Sequence, residues 1–291
     1  MQEFIGFIGT GVMGEAMCRN LAMKGSDKVL AYDLNSAPLE RLANHGVTAM
    51  DSPASLAIDA HTILLSLPAG QQVRKICLEE GGLIAHLKEG QCIIDTGTSP
   101  PALARELYAA FGTNGVAFAD APVARTRQAA MDGTLSIMVG AEDEVFTRIC
   151  PILDCMATDV THCGGPGAGQ IVKILNNMML FQNCAAIAEA LAIASRAGLD
   201  ETFFLETVAK SSGDSFALRN HAMKAMLPRN YPEGAFSARY ALKDLAYAID
   251  LAMAENVEVK GGQLARERLE QAVADGLGER YHPVVREIID S

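Results

Sequence analysis

The chain has 291 residues, 49% of them apolar and 20% charged, with a net charge of −11. That length exceeds one small core and suits two domains. The acidic balance excludes a binder of nucleic-acid phosphates, which needs a basic surface, although it leaves room for one small anion in a local pocket. Seven cysteines (Cys18, Cys77, Cys92, Cys150, Cys155, Cys163 and Cys184) contain no C-x-x-C pair. They read as reduced thiols of a cytoplasmic protein, and no ligand cluster for a metal is present.

The chain opens on a strand-like run, "FIGFIG" (4–9), which reaches a glycine turn too early for a signal peptide. Gly9, Gly11 and Gly14 then stand in G-x-G-x-x-G spacing ahead of an apolar helix pattern over Met13–Lys24. The first glycine permits a tight turn, the second lets backbone N–H groups approach a pyrophosphate, and the third lets helix and strand pack closely. Thr10, Val12 and Met13 fill the loop between them. A second strand, "VLAYD", ends in Asp33, 19 residues past Gly14. A carboxylate there accepts hydrogen bonds from a ribose 2′-OH and repels a 2′-phosphate. No arginine follows in "LNS" (34–36), so NAD is favoured over NADP.

Further strand-like runs are "TILLSL" (62–67), "CIIDTG" (92–97), "VAFADAP" (116–122) and "LSIMVG" (135–140), with helical patterns between most of them. Strands apolar on both faces and separated by helices imply a parallel sheet covered on both sides. The expected fold is therefore α/β, a Rossmann-type doubly wound domain over 1–164. A glycine-rich hinge candidate, "CGGPGAG" (163–169), leads into one long helix at about 168–197. Helical patterns follow at Glu201–Lys210, Ala217–Leu227, Ala238–Glu255, Gln263–Ala274 and Pro283–Ile289, giving an all-helical domain over 165–291. Lys173, Asn176, Asn177, Gln182, Asn183 and Glu189 interrupt the apolar stretch 171–194, which argues against a bilayer span. A helix apolar nearly all round is normally buried in a domain or between subunits, so a homodimer or homotetramer is expected. The cleft between two domains held in fixed relation is the default site.

Gly169, Lys173 and Asn177 are four apart and share one helix face. Gly169 would leave room for a ligand. Asn177 could hold an ammonium or a substrate oxygen. A buried lysine gives up its proton more easily and suits proton transfer, whereas a lysine that snorkels to solvent would be inert.

Five motifs, in order, resemble those of the β-hydroxyacid dehydrogenases, which include 3-hydroxyisobutyrate dehydrogenase and tartronate semialdehyde reductase. They are "GFIGTGVMGEAMCRNL", "DTGTSPP" (95–101), "DAPV" with "GTLSIMVG", "GGPGAGQIVKILNN" and "KDLAYAID" (243–250). The resemblance implies hydride transfer between nicotinamide and the carbon of a small anionic hydroxy acid or aldehyde. It implies Lys173 as general acid/base, with Asn177 orienting it. Lys243 would close over the nicotinamide side, and Asp244 would support that contact or cap its helix. Thr98 would sit near the cofactor, and Leu67 and Pro68 of "SLPAG" would pass along its adenosine-to-pyrophosphate side. Lysine supplies the charge, so no metal is implied.

Two departures from the family pattern stand out. Gly97 replaces the serine of its D-x-S-T motif, and the substrate loop reads Pro122-Val123-Ala124-Arg125-Thr126 where the family has P-V-S-G-G. Arg125 could grip an anionic end of the substrate, pair with Asp120, Asp132 or Glu142, or face solvent; Arg127 reads as a solvated charge. P-V-x-R-T resembles the branch that includes 3-sulfolactaldehyde reductase, also associated with succinic semialdehyde. The rivals are a sibling acting on tartronate semialdehyde, methylmalonate semialdehyde or L-serine, an imine reductase, and a non-catalytic dinucleotide-binding module. The last two typically lack the lysine.

Overall fold

A computed structural model describes residues 4–290. The chain forms two compact units that divide between Lys173 and Ile174, inside the long helix and past the expected boundary at 164/165.

The first unit runs β1 (Phe4–Ile8), α1 (Gly14–Lys24), β2 (Lys28–Tyr32), α2 (Ser36–Ala43), β3 (Thr48–Ala49), α3 (Pro53–Asp59), β4 (Thr62–Leu65), α4 (Gly70–Leu78), β5 (Cys92–Asp95), α5 (Pro101–Gly112) and β6 (Ala117–Asp120). It continues through β7 (Val123–Ala124), α6 (Arg127–Asp132), β8 (Leu135–Gly140), α7 (Asp143–Leu153), β9 (Ala157–Gly164) and the start of α8 (Ala168–Arg196). Six strands pair in parallel in the order β3-β2-β1-β4-β5-β6, the doubly wound order of a dinucleotide fold. β8 returns antiparallel to β6 and β7, and β9 lies parallel to β8.

Alternation within each strand fills two core layers. Phe7, Leu64 and Ile94 face one, with Met17 and Leu21 of α1; Ile8, Leu65 and Ile93 face the other, with Leu56 of α3 and Leu107 of α5. Register aligns Tyr32, Ile8, Leu65, Asp95 and Asp120 at one edge of the sheet. The residues that follow them include Gly9, Asp33, Leu67, Thr98 and Pro122. The sheet therefore delivers the expected binding loops to its carboxyl edge.

Three strands escape the apolar pattern. β3 and β7 have two residues each, and β9 buries only Ala157, with Thr158, Asp159 and Thr161 exposed and the rest half-buried. β9 obeys pairing rather than burial.

The second unit holds the rest of α8, then α9 (Glu201–Val208), a π-helical stretch Leu218–Met226, α10 (Ala238–Ala254), α11 (Lys260–Ala274) and α12 (Val285–Asp290). By length and composition alone α8 could cross a membrane, yet its Phe181, Cys184, Ala188 and Leu191 lie in the helical core. The spacing that suggests an ordinary helix over Ala217–Leu227 does not distinguish i→i+4 from i→i+5 bonds, and the wider turn forms, with Leu227 N–H donating to the Ala222 carbonyl at 2.8 Å. Fully buried Arg286 is compensated by Glu201, by Asp290 and by the Met226 carbonyl, to which it donates at 2.7 Å.

His221 and His282 are buried side by side, their rings 5.0 Å apart, among Phe181, Phe236 and Tyr281. Burial pushes His221 down to about 4 and His282 well below its ordinary value. Between pH 6.5 and 4 the unfolded chain therefore takes up protons that the folded chain refuses. Stability from this pair is full above pH 6.5 and is lost as pH falls. His282→Phe keeps the aromatic packing and is expected to flatten the acid limb of urea-unfolding free energy by about 1.4 kcal/mol per pH unit, one proton's worth.

Candidate active site

In the first unit, Gly9 has φ +93°, and a Cβ there would lie 2.4 Å from the Ser66 carbonyl oxygen. A Cβ at Gly14 would lie 2.0 Å from the Gly9 carbonyl oxygen. These two glycines are required by the protein's own backbone. Gly11 differs, with nothing within 4 Å of the same position, so its surface is open to a ligand. α1 has no side-chain cap, a feature it shares with α4, α5, α7 and the later helix Lys260–Ala274, but here the uncapped start follows the open Gly11. Such an N-terminus suits an anion. Val12 is exposed beside Gly11, and Met13 packs on the core.

Asp33 is built into this loop. It accepts the Thr10 N–H at 2.5 Å and the Asn35 N–H at 2.8 Å. The Thr10 hydroxyl is buried without a hydrogen-bond partner. Leu34 is almost fully exposed, and nearby Arg41 is committed to Glu15 at 2.6 and 2.8 Å. Leu67 stands next to the loop, its Cδ2 3.1 Å from the position a Gly9 Cβ would take, and exposed Pro68 follows. An open Gly11, an uncapped helix start and a carboxylate at the end of β2 fit the pyrophosphate and ribose of a dinucleotide.

Thr98 lies half-buried in the turn after β5. Asp95 shapes that turn by accepting the Gly97 N–H at 2.9 Å and the Ser99 hydroxyl at 2.8 Å. A Cβ at Gly97 would stand 3.0 Å from the Leu67 carbonyl oxygen, so a serine there would crowd the neighbouring loop. Ser99 was not foreseen; its hydroxyl bonds Asp95 two residues beyond the missing serine.

Asp120, fully buried at the end of β6, accepts N–H groups of Gly167 at 2.6 Å and Gln170 at 2.7 Å. It thus anchors the start of α8. Burial pushes its carboxyl up to about 6, against the lowering effect of these amides. The approach is close, since a Cβ at Gly140 would lie 2.5 Å from Asp120 Oδ1 and one at Gly169 2.3 Å from the Met138 carbonyl oxygen. Gly169 therefore makes room for the sheet, not for a ligand as expected. Lys173, one turn further, is only 9% exposed, which excludes the snorkelling alternative.

In the second unit, the Asn177 side-chain N–H donates to Asp244 Oδ2 at 2.7 Å, and its Oδ1 accepts from Asn176 at 3.2 Å. Asp244 is buried in the body of α10 and does not cap it; Ser237 does. Lys243 Nζ lies 3.2 Å from Asp244 Oδ1 and over the rings of Tyr240 and Tyr247, at 5.5 and 5.4 Å.

The 122–126 segment also differs from expectation. Pro122 is buried, Val123 and Ala124 form β7 against Ile137 and Ser136, and Thr126 caps α6. Arg125 occupies the left-handed region at φ +83°, where the family pattern has glycine. Its guanidinium donates to the Thr134 carbonyl at 2.6 Å and the Thr158 hydroxyl at 2.8 Å and pairs with Asp159. Instead of an open anion grip it makes an ion pair, with none of the three carboxylates considered. Asp120 is held by amides, Asp132 by Gln128 and Glu142 by Tyr108. Asp159 stands on β9, the strand the apolar pattern misses.

Fold and loop together define a dinucleotide-dependent oxidoreductase. Residues 4–165 match the NAD binding domain of 6-phosphogluconate dehydrogenase, and residues 167–287 match the family described as NAD-binding of NADP-dependent 3-hydroxyisobutyrate dehydrogenase. The chain is 36% identical to 3-hydroxyisobutyrate dehydrogenase of Pseudomonas aeruginosa, over 90% of this chain and 89% of that one. It is 34% identical to 2-(hydroxymethyl)glutarate dehydrogenase of Eubacterium barkeri, over 94% and 90%. The solved 3-hydroxyisobutyrate dehydrogenase of Mycobacterium tuberculosis with L-serine superposes with a TM-score of 0.91 at 28% identity, covering all of both chains. The chain belongs to the β-hydroxyacid dehydrogenase family.

Two substitutions test this geometry. Asp120→Asn places an amide N–H against one of two buried backbone donors, and is expected to lower unfolding free energy in urea by about 1–3 kcal/mol. Arg125→Gly removes an exposed ion pair worth about 0–1 kcal/mol but relieves left-handed strain of about 1–2 kcal/mol. Stability within about 1 kcal/mol of the parent is expected in the same assay, because glycine's freedom in the unfolded chain offsets part of the relief.

Proposed function

We propose that the protein interconverts a short 3-hydroxy acid and its semialdehyde, using NAD, with Lys173 as general acid/base. The observation that carries this reading is a lysine 9% exposed in the first turns of α8, one turn before Asn177, in a chain with an open dinucleotide loop. The Gly9–Gly14 loop would hold the pyrophosphate, Asp33 the adenosine ribose, and Leu67, Pro68 and Thr98 would line the cofactor's path. Bound nicotinamide supplies the hydride acceptor or donor. In oxidation the neutral Lys173 amine takes the hydroxyl proton as the carbonyl forms; in reduction its ammonium returns the proton to the nascent alkoxide. Asn177, fixed by Asp244, would orient the reacting oxygen or the amine, and Lys243 would serve the nicotinamide side.

A carboxylate substrate is favoured over a sulfonate. The reading toward the sulfonate 3-sulfolactaldehyde depends on Arg125, whose donors are engaged by Thr134, Thr158 and Asp159, whereas succinic semialdehyde is itself a carboxylate. Both relatives at 34–36% identity are named for hydroxy acids that carry a carboxylate. NAD over NADP is supported by Asp33 and by the absence of a cation at 34–36. Association with a second copy is supported by exposed Val172, Met179 and Ile193, which recur along one face of α8. A cytoplasmic location is supported by the seven cysteines, all of them free.

Lys173→Ala is expected to lower kcat by about 10²–10⁴-fold while NADH still binds, as read by fluorescence titration. The wild type is expected to prefer 3-hydroxyisobutyrate, L-serine or tartronate semialdehyde by kcat/KM; preference for 3-sulfolactaldehyde would restore Arg125 as the anion grip. Catalysis undiminished in Lys173→Ala, or no turnover of any of these, would overturn the reading.

A further inference from the structure

Gln170 is fully buried and joins three elements of the first unit. Its backbone N–H donates to Asp120 at the end of β6. Its side-chain Oε1 accepts the Ser99 N–H at 3.0 Å, and its Nε2 donates to the Gly97 carbonyl at 2.8 Å. The amide thus reads both polar backbone groups that flank Thr98. Asp95 holds the same turn from the other side through Gly97 and Ser99. Thr98 is left with its backbone fixed at both ends, and Gln170, which fixes it, stands three residues before Lys173 in α8.

From this we infer that Gln170 is a positioning residue for hydride and proton transfer, setting the distance between the Thr98 turn and Lys173. The inference deepens the proposed function and rests on it. A primary amide offers an acceptor and a donor in one plane at this reach whatever the pH. A carboxylate of the same length would accept from Ser99 but oppose the Gly97 carbonyl. A carboxylic acid would satisfy both, since its O–H donates. Chemistry tolerates little slack here: a displacement of about 1 Å remote from the reacting atoms can lower the rate about 100-fold.

Asp120 accepts the Gln170 backbone N–H, Asp95 shares Gly97 and Ser99 with its side chain, and Lys173 follows three residues on in the same helix. Asp95 and Asp120 are both buried, so a new carboxylate beside them would hold its proton to higher pH than usual. Gln170→Glu therefore carries its own rescue as pH falls.

The experiment compares wild type, Gln170→Ala and Gln170→Glu in the reduction direction between pH 8 and pH 6, each variant scaled to wild type at the same pH. Hydrogen exchange of the 97–99 segment and NADH titration are read on the same samples. Gln170→Ala is expected to lose about 100-fold in kcat, with KM and NADH affinity changed less than about threefold and faster exchange at Ser99. Gln170→Glu is expected to match that loss at pH 8 and to recover about 10-fold or more by pH 6. Gln170→Ala within twofold of wild type in kcat, or Gln170→Glu without recovery despite cooperative unfolding, would overturn the inference. If Gln170→Ala does not fold, the pH course of Gln170→Glu decides alone. Wild type without turnover would instead overturn the proposed function, while Ser99 exchange would still report whether the clamp exists.

Discussion

The first unit depends on one buried carboxylate. Asp120 ends β6 without solvent and takes two amide N–H groups from the opening of α8, at 2.6 and 2.7 Å. A helix start leaves donors unsatisfied, and a buried carboxylate needs them. Each lowers the other's penalty, although burial still holds the Asp120 carboxyl above its ordinary range. Because β6 is in register with β5, β4 and β1, the start of α8 is tied to the same sheet edge as the glycine loop and the Thr98 turn. The glycines follow from this contact. Gly140 and Gly169 are present because strand and helix approach until no Cβ fits between them.

The doubly wound sheet was legible because each of its long strands is a run of apolar residues bounded by a turn signal, and parallel strands buried on both faces must look like that. The glycine loop was legible because its three glycines serve distinct steric needs, two of which the backbone contacts display directly. β9 was not legible. Beyond Ala157 its residues are exposed or half-buried without a regular alternation, and no local pattern separates such a strand from a loop. The loss carried forward, because the partner of Arg125 stands on that strand. Asp120, Asp132 and Glu142 lie nearer to Arg125 in sequence, yet Asp159, which pairs with it, is 34 positions away.

A similar limit applied to Ser99, Asp120 and Gln170. They lie inside the family-like motifs, but their contacts are pairwise and long-range. Separations of 47, 50, 71 and 73 residues connect them. Lys173 could be singled out because a lone cation in an apolar helix is a local anomaly. A glutamine next to a glycine is not anomalous, and only its two side-chain bonds reveal that it is fully used. The π-helical turn at Leu218–Met226 is illegible for a third reason: the apolar spacing of one helical face tolerates either bond pattern.

The same economy of groups bears on cofactor choice. Asp33 was read as a ribose acceptor that would repel a 2′-phosphate, which makes it look like an independent selector. In the structure both of its oxygens already accept backbone N–H groups, one from Thr10 inside the glycine loop and one from Asn35 at the start of α2. A carboxylate oxygen has capacity for a second donor, so the ribose role remains compatible with these bonds. Yet replacing Asp33 by a neutral residue would remove an acceptor that shapes the pyrophosphate loop itself. On the proposed NAD reading, the side chain that would meet a 2′-phosphate is therefore the same one that holds the glycine loop through the Thr10 amide. A change of cofactor through this position alone would weaken binding of both dinucleotides before it favoured either, and a productive change would need a cation at 34–36 together with a new acceptor for the Thr10 amide.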